Sequence, residues 1–139
     1  MQSTQNILLV RPSGFAYNNE TAASNSFQHQ TNFSTAAIQQ RVTKEFDVFV
    51  TTLRLKGVNV LVVDDTRLPH KPDAVFPNNW ASYHADGTII LYPMCAPNRR
   101  REKRPEIISV IRQQYTVTNI VDLSAYELSD RFLEGTGSI

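Results

Sequence analysis

The stretch Pro-Asp-Ala-Val-Phe-Pro-Asn-Asn-Trp at residues 72–80 is the most informative part of this chain. It places one carboxylate, two carboxamides and an indole around a short apolar core, between prolines that restrict the backbone. An ordinary strand would alternate apolar and polar residues or stay apolar throughout. The pattern suits a site that holds a small planar polar group, and it equally suits the start of a strand with turn-forming asparagines. The candidate ligands are Asp73, Asn78, Asn79 and Trp80.

Composition limits the class of protein. The 139 residues suffice for one domain with a core, and 41% hydrophobic and 19% charged residues are ordinary values for a globular protein. A net charge of +1 argues against nucleic acid or membrane partners, and no apolar run approaches the roughly 20 residues of a membrane span. The start of the chain lacks an export signal, the single cysteine excludes an internal disulfide, and the three histidines have no metal-ligand spacing. We expect a cytoplasmic protein without metal or cofactor.

Two segments of the chain show the same order of elements. In the first, an apolar strand at residues 7–10 precedes a long polar loop and a helix that begins after the N-cap Ser34 and ends near Lys56. Gly57 stops this helix, and a β-branched strand follows at residues 58–63. The apolar residues at helical spacing, which we expect to form its buried face, are Ile38, Val42, Phe46, Phe49, Val50 and Leu53.

The second segment repeats this plan. Its predicted elements are a hairpin of residues 74–82 and 88–92 turning at 85–87, a basic loop at 98–104, a helix at 105–115 and a strand at 116–122. We expect a third unit to begin at Arg131. A strand–helix–strand order that recurs at a period of about 60 residues predicts a modular α/β architecture.

Three further stretches carry candidate functional residues. Glu134, followed by alternating small residues, is suited to orienting a catalytic histidine, although a plain turn has the same composition. Arg99 and Arg100 lie in a basic segment that suits carboxylate binding, a salt-bridged loop or a solvated loop. That segment has no interleaved aromatic residues for nucleic acid bases. The loop at residues 15–28, which contains Asn18, is either a flexible connection or a functional lid.

Cys95 is the only thiol of the chain. A nucleophilic cysteine requires a base, and neither His70 nor His84 is near it in sequence. We therefore predict that Cys95 is buried and inert.

Taken together, these motifs resemble the amidinotransferase, or pentein, superfamily. Pro-Asp-Ala-Val-Phe at 72–76 is similar to the superfamily's substrate-carboxylate motif, and Ala-Pro-x-Arg-Arg at 96–100 to its arginine-supplying segment. Leu-Glu-Gly at 133–135 resembles Leu-Glu-Gly-Gly-Asp, from which Thr136 and Ser138 depart. The resemblance extends from Val10 to Ser138.

Within the superfamily, the arginine-deiminase-related branch that includes citrulline-utilisation hydrolases is the most similar. Arg-Pro at 11–12, Asn-x-x-Thr-Ala-x-Ser-Asn-x-Phe-Gln at 18–28 and Phe-Pro-Asn-Asn-Trp at 76–80 recur there as they stand here. The resemblance implies an α/β propeller of five strand–helix–strand modules, of which about two and a half are present. These are residues 5–66, 72–123 and the start of a third at 131–139, all within a single incomplete domain.

The resemblance also implies the chemistry. In this superfamily a cysteine thiolate attacks a guanidinium or ureido carbon, a histidine transfers protons and a glutamate orients the histidine. Glu134 would be that glutamate, Asp73 would bind one end of the substrate, and Arg99 or Arg100 would hold its α-carboxylate. The histidine and the cysteine normally follow the Glu-Gly motif, so we expect both beyond this chain and expect the chain alone to be inactive.

Asn78 and Asn79 depart from the superfamily pattern. Members that act on a guanidinium carry an acid just after the Val-Phe core, and an acid buried against a neutral ureido group would lack a counter-charge. Neutral asparagines suit the ureido end of citrulline. The sequence therefore predicts the N-terminal part of a citrulline hydrolase.

Two alternatives remain at this level. The chain could be a non-catalytic, amino-acid-binding or assembly subunit, or Cys95 could serve as the nucleophile of a shorter enzyme, which the missing base disfavours. An incomplete propeller would expose apolar surface and strand edges, and this predicts self-association.

Overall fold

The computed structural model describes residues 4–23, 25–30 and 32–135. The chain divides into two compact units, Met1–Phe76 and Pro77–Ile139. Each unit contains one pair of parallel strands joined by a helix. No helix within the described ranges is long and apolar enough to cross a membrane.

The first unit consists of β1 (Asn6–Arg11), α1 (Thr35–Leu55) and β2 (Asn59–Asp64). The strands are parallel, with Leu8 opposite Leu61 and Val10 opposite Val63. α1 begins where predicted, because the Ser34 hydroxyl accepts a hydrogen bond from the Ala37 N–H. It ends where predicted too, since Gly57 has φ of +82°, a conformation that favours glycine.

The buried face of α1 is narrower than predicted. Phe46 and Val50 are buried, and Ile38, Val42 and Leu53 are half-buried. Phe49, however, is 51% exposed, so its assignment to the buried face was wrong. The physical reason is that a two-stranded sheet covers only a narrow stripe of the helix, and Phe49 lies about 60° around the helix from Phe46.

The second unit contains β3 (Ala81–Tyr83), β4 (Thr88–Leu91), α2 (Pro97–Arg100), α3 (Pro105–Gln114) and β5 (Asn119–Asp122). The strand order is β3-β4-β5, with β3 antiparallel and β5 parallel to β4. The predicted turn is confirmed: Gly87 has φ of +83°, and a Cβ there would lie 2.8 Å from the Thr116 carbonyl oxygen. The helix predicted from Pro105 is confirmed as α3.

Two local predictions were wrong. The expected strand 74–82 is a strand only from Ala81, because residues 72–75 form turns and Pro77–Asn79 a short 3-10 helix. Pro77 has no N–H for a strand ladder, and its carbonyl oxygen instead accepts from the Trp80 N–H. The basic loop contains the one-turn helix α2, with Pro97 in its first turn. The third module predicted at 131–139 stays a prediction, because residues 131–134 form neither helix nor strand and residues 136–139 lie outside the described residues.

Candidate functional site

Asp73 and Asn18 form a buried pair in the first unit. The Asn18 Nδ2 donates a hydrogen bond of 2.7 Å to the Asp73 Oδ2. Asn18 is fully buried and Asp73 is 7% exposed. A buried carboxylate needs such donors, and here the donor is a neutral amide. Both residues were predicted as substrate ligands, and they lie together.

The loop around Asn18 is ordered by side-chain amides. The Asn18 N–H donates to the Gln28 Oε1 at 2.8 Å, and the Gln28 Nε2 donates to the Thr21 hydroxyl at 2.7 Å. The Asn18 Oδ1 accepts from the Glu20 N–H, which is the local turn that asparagine side chains favour. At the other end, the Gln39 Oε1 of α1 accepts from the Phe15 N–H at 3.0 Å. These bonds hold the backbone that carries Asn18 against Asp73.

A buried ion pair precedes Asp73 in the chain. The Lys71 Nζ lies 3.3 Å from the Asp65 Oδ1, and both side chains are almost completely buried. The same Nζ donates to the carbonyl oxygens of Thr66 and Pro69, at 3.0 and 2.7 Å. Lys71 therefore ties the end of β2 to the turn that presents Asp73.

In the second unit, Asn78 lies against the Leu-Glu-Gly motif. A Cβ added to Gly135 would be 2.5 Å from the Asn78 carbonyl oxygen and 3.2 Å from the Tyr92 ring, so only glycine permits this approach. The Asn78 side chain is exposed, that of Asn79 is half-buried, and the Asn78 Nδ2 donates to the Asn79 Oδ1 at 3.3 Å. Two separately predicted motifs thus meet within this unit.

The Arg99 guanidinium contacts two carboxylates, that of Glu134 and the buried one of Glu102. Its Nε and Nη2 donate to the two oxygens of Glu102, at 3.1 and 3.2 Å, and its Nη1 lies 3.5 Å from the Glu134 Oε2. Arg99 is 5% exposed and Glu102 2% exposed. The planar guanidinium suits this paired geometry, in which it holds the Glu134 carboxylate in place.

Arg100 has a different set of partners. Its Nε and Nη2 donate to the carbonyl oxygens of Met94 and Cys95, at 2.9 and 3.0 Å, and it lies 3.6 Å from Glu127. Both predicted carboxylate-binding arginines therefore have partners inside the chain. A substrate carboxylate would have to replace some of these partners, and the role predicted for Arg99 or Arg100 stays a prediction.

Trp80 is 1% exposed, and its backbone pairs across to β4 through a bond from the Tyr92 N–H. Its indole Nε1 is buried and has no hydrogen-bond partner among the described residues. Nearby on the same hairpin, the Ser82 hydroxyl lies 2.8 Å from the Tyr92 hydroxyl and 2.9 Å from the His84 Nε2. This chain of polar groups fixes the Tyr92 ring that packs beside Gly135.

Cys95 is exposed, so the prediction that it is buried was wrong. The neighbouring Met94 and Ala96 are buried, and alternation along this extended segment turns the residue between them outward. Among the described residues, no group of three or more His, Cys, Asp or Glu is arranged to hold a metal ion.

Two partner residues of the site were missed at the sequence level. Glu102 follows Arg99 by three residues, a spacing that brings side chains together on a helical turn, and this signal was available. Gln28, which fixes Asn18, lies ten residues along a loop, where no periodicity indicates contact.

Comparison with solved structures gives the fold. The chain aligns with a crystal structure of a dimethylarginine dimethylaminohydrolase, a histidine-to-glycine variant captured as an adduct with S-methyl-L-thiocitrulline. The TM-score is 0.61 at 18% sequence identity, over 94% of this chain and 44% of that one. The chain thus spans less than half the length of the protein it matches. No curated protein matches it.

The fold and the motifs define a protein of the amidinotransferase, or pentein, superfamily, and the predicted superfamily is confirmed. Residues 11–139 match the model of the family described as "N,N dimethylarginine dimethylhydrolase, eukaryotic". Because this match covers nearly all of the chain, the chain belongs to the dimethylarginine dimethylhydrolase family.

Proposed function

We propose that this chain is the N-terminal part of a hydrolase that cleaves a C–N bond of a ureido or guanidino amino acid, with citrulline as the favoured substrate. The observation that carries this proposal is the approach of Gly135 to the Asn78 carbonyl oxygen, next to the Arg99–Glu134 pair. It brings the backbone of Asn78 next to the segment that carries Glu134, whose carboxylate contacts Arg99. The other modules of the five-module propeller would be supplied by sequence outside this chain.

The proposed reaction is covalent catalysis by a thiolate. The thiolate adds to the ureido carbon, the C–N bond breaks and the departing nitrogen takes a proton from a histidine. Water then adds to the same carbon, the S–C bond breaks and the thiol is restored. Glu134 orients the histidine, and the thiolate and histidine come from sequence beyond this chain.

The choice of citrulline rests on charge. The description of the matched family names a methylated arginine, and the guanidinium of such a substrate is a cation. The matched structure is an adduct with S-methyl-L-thiocitrulline. In this chain Asn78 and Asn79 are neutral at the positions where an acid would pair with such a cation. Neutral donors and acceptors satisfy a ureido group without leaving a charge unpaired. Asp73, which accepts a hydrogen bond from Asn18 in the first unit, keeps the role of substrate ligand that the sequence predicts.

The substrate class is tested by titrating the chain with L-citrulline, L-arginine and Nω,Nω-dimethyl-L-arginine in calorimetry. We expect citrulline to bind about tenfold more tightly than either cation, the effect of roughly one unpaired charged group. The double variant Asn78→Asp/Asn79→Asp should reverse the order, and Asn119→Asp, an exposed asparagine on β5, should leave it unchanged. Tighter binding of arginine by the unaltered chain would contradict the proposal.

The location of the nucleophile is tested separately. We expect the reading frame beyond codon 139 to encode a later histidine and cysteine, and the 139-residue chain to release no ammonia from citrulline. Ammonia release that disappears in Cys95→Ala would instead identify Cys95 as the nucleophile.

A second candidate, a subunit that acts by assembly, is favoured by exposed apolar side chains. Phe27 and Leu128 are 91% exposed, and Leu55 and Leu68 are 82% exposed. Such exposure is typical of surfaces that bind another chain. Light scattering of the purified chain should then show a dimer or larger species, and a monomer at high micromolar concentration would exclude self-association.

A further inference from the structure

Three polar side chains of the β3–β4 hairpin form a hydrogen-bonded network. The Ser82 Oγ lies 2.8 Å from the Tyr92 hydroxyl and 2.9 Å from the His84 Nε2. His84 comes two residues after Ser82, and its N–H still pairs with the Thr88 carbonyl oxygen, so both side chains point to the same face of the hairpin. Ser82 is paired with Ile90 of β4, and Tyr92 lies two residues beyond Ile90. The strand register therefore brings the three groups together.

The Tyr92–Ser82–His84 network extends from the protein surface to the glycine of the Leu-Glu-Gly motif. His84 is exposed, Ser82 is half-buried and Tyr92 is 4% exposed. A Cβ added to Gly135 would lie 3.2 Å from the Tyr92 ring, so this ring packs against the residue that follows Glu134. Two hydrogen bonds thus connect a surface imidazole to the side chain that borders a predicted site residue.

The number of hydrogens in the network depends on the charge of His84. With a neutral imidazole that lacks a proton at Nε2, the Tyr92 hydroxyl donates to Ser82, the Ser82 hydroxyl donates to His84, and both hydrogens are paired. A protonated imidazole adds a third hydrogen at Nε2, and three hydrogens then compete for two contacts. Among the described residues, the Tyr92 hydroxyl has no hydrogen-bond partner besides Ser82. Protonation of His84 therefore leaves one hydroxyl hydrogen without an acceptor.

Asp86 is the charged group that acts on His84 in this hairpin. Its carboxylate accepts a hydrogen bond of 2.9 Å from the Thr88 N–H, and this bond, with a smaller contribution from the charge of His84, lowers the pKa of Asp86 below its usual value. Asp86 therefore stays ionised throughout the pH range in which histidine side chains ordinarily titrate. The segment before β5 contributes Thr118, whose hydroxyl donates to the Asp86 carbonyl oxygen and does not titrate. In this range, the charge of the network changes at His84.

We propose that Ser82 and His84 are positioning residues for the Leu-Glu-Gly motif, and that they act through Tyr92 while the imidazole is neutral. The neutral network holds the Tyr92 ring against Gly135 and thereby fixes the adjoining Glu134, and protonation of His84 weakens this restraint. The consequence for the substrate rests on the proposed function: binding becomes weaker as His84 becomes charged.

The network itself is tested by a pH titration of the ¹⁵N-labelled chain without substrate, from about pH 5 to about pH 8. We expect the Gly135 amide resonance to shift with the same midpoint as the His84 ring protons. Tyr92→Phe keeps the aromatic ring and removes the hydroxyl, so Gly135 should no longer follow His84 although the imidazole still titrates. The absence of a common midpoint in the unaltered chain would overturn the proposal. A Gly135 resonance that still follows His84 in Tyr92→Phe would also overturn it, because the coupling would then be a direct effect of the imidazole charge.

Two further variants separate positioning from general stability. Ser82→Ala interrupts the network in its middle and should uncouple Gly135 from His84, as Tyr92→Phe does. Tyr126→Phe removes the hydroxyl of an exposed tyrosine in the same unit and should leave the coupling unchanged. Equal loss of coupling in Tyr126→Phe and Tyr92→Phe would assign the effect to a general loosening of the unit and contradict the proposal.

Calorimetry with L-citrulline at about pH 7.5 and about pH 5.5 tests the consequence for binding. We expect the affinity to be about fivefold lower at the lower pH, the size expected for one lost neutral hydrogen bond, and Tyr92→Phe should show the lower affinity at both values. Equal affinity of the unaltered chain at the two pH values would overturn the positioning role. Failure of citrulline to bind at either pH would contradict only the proposed function, because the resonance titration uses no substrate.

Discussion

The segments that connect a strand to the following helix are stabilised by different interactions in the two units. In the first unit, residues 12–34 between β1 and α1 are held by neutral amides: Asn18, Gln28 and Gln39 supply the key bonds. In the second, residues 92–104 between β4 and α3 are held by buried charges, namely Arg99 with Glu102 and Lys103 with Glu127. The first connection is about twice as long, yet each contains a predicted site residue, Asn18 in the first and Arg99 in the second.

The two kinds of interaction should differ in how strongly they hold the predicted site residues in place. Losing one neutral hydrogen bond typically costs about 1 kcal/mol, whereas leaving one member of a buried ion pair unpaired costs about 3–5 kcal/mol. Glu134 should therefore depend strongly on a few charged contacts. The position of Asp73 should depend on several weaker hydrogen bonds, each of which contributes a part of the stabilisation.

The largest expected effect comes from Glu102→Gln in the second unit. The change removes the closer of the two carboxylates that the buried Arg99 guanidinium contacts and leaves the 3.5 Å contact to Glu134. We expect a loss of about 3 kcal/mol in the free energy of unfolding, measured by urea denaturation. Glu106→Gln, at an exposed glutamate in the first turn of α3, serves as the control and should change stability by less than about 0.5 kcal/mol. Similar small losses in both variants would remove the contrast between the units.

The second-largest effect is expected for Gly135→Ala. This variant tests whether the close packing of Gly135 against the Asn78 backbone contributes to the stability of the second unit. Its Cβ would lie 2.5 Å from the Asn78 carbonyl oxygen, so the backbone must shift. We expect a loss of about 2–3 kcal/mol in unfolding free energy and changed amide resonances at Asn78 and Glu134. Gly14→Ala meets only the His70 side chain, at 3.1 Å, and should cost much less. Unchanged resonances in Gly135→Ala would mean that the two motifs do not depend on each other.

A smaller effect is expected for Asn18→Ala in the first unit. The variant removes the amide that donates to the buried Asp73 carboxylate, at a cost of about 1.5 kcal/mol, the lower end of the range for a hydrogen bond to a charged group. Thermal denaturation should show the loss, and hydrogen exchange should become faster in residues 15–28. Asn19→Ala, at the exposed neighbour, should do neither. If Asn18→Ala lowered the free energy of unfolding as much as Glu102→Gln, the amide hydrogen bonds of the first unit would be no weaker than the buried ion pairs of the second.

The smallest effect concerns the surface pair of Arg11 and Asp47, which joins β1 to α1. The Arg11 hydrogen bond lowers the pKa of Asp47, and the bond raises the pKa of Arg11. A depressed folded-state pKa stabilises the protein above the unfolded-state value of about 4, and that stabilisation disappears as the pH falls through the lowered folded-state pKa. Asp47→Asn should therefore be slightly less stable than the wild type at pH 7 and equal to it near pH 2. A stability difference that persists at pH 2 would exclude this electrostatic origin.

Local elements were predictable because their signals are local. Ser34, Gly57, Gly87 and Pro105 mark their helix ends and turn by backbone chemistry that depends on one or two residues. The stretch at 72–80 was harder. Its apolar core suggested a strand, but Pro77 and the following asparagines formed a 3-10 turn, since proline cannot donate to a strand ladder.

The candidate site was predictable as a set of motifs and not as an arrangement. The residue types of 72–80, 96–100 and 133–135 pointed to the superfamily, which the family match confirms. Their partners did not follow from those motifs: Gln28 for Asn18 depends on how a loop closes, and the exposure of Cys95 depends on what packs against its neighbours. Such contacts link residues that share no spacing pattern.

Residue type and local spacing were enough to indicate the superfamily, the strand–helix–strand order and the neutral side chains at positions 78 and 79. Three features depend on how the chain packs: Asn78 approaches Gly135, Arg99 contacts both Glu102 and Glu134, and Trp80 is buried with its indole N–H unsatisfied. The physical reason is that buried polar groups take whichever partner the packed backbone brings within about 3 Å, and that distance is settled by folding.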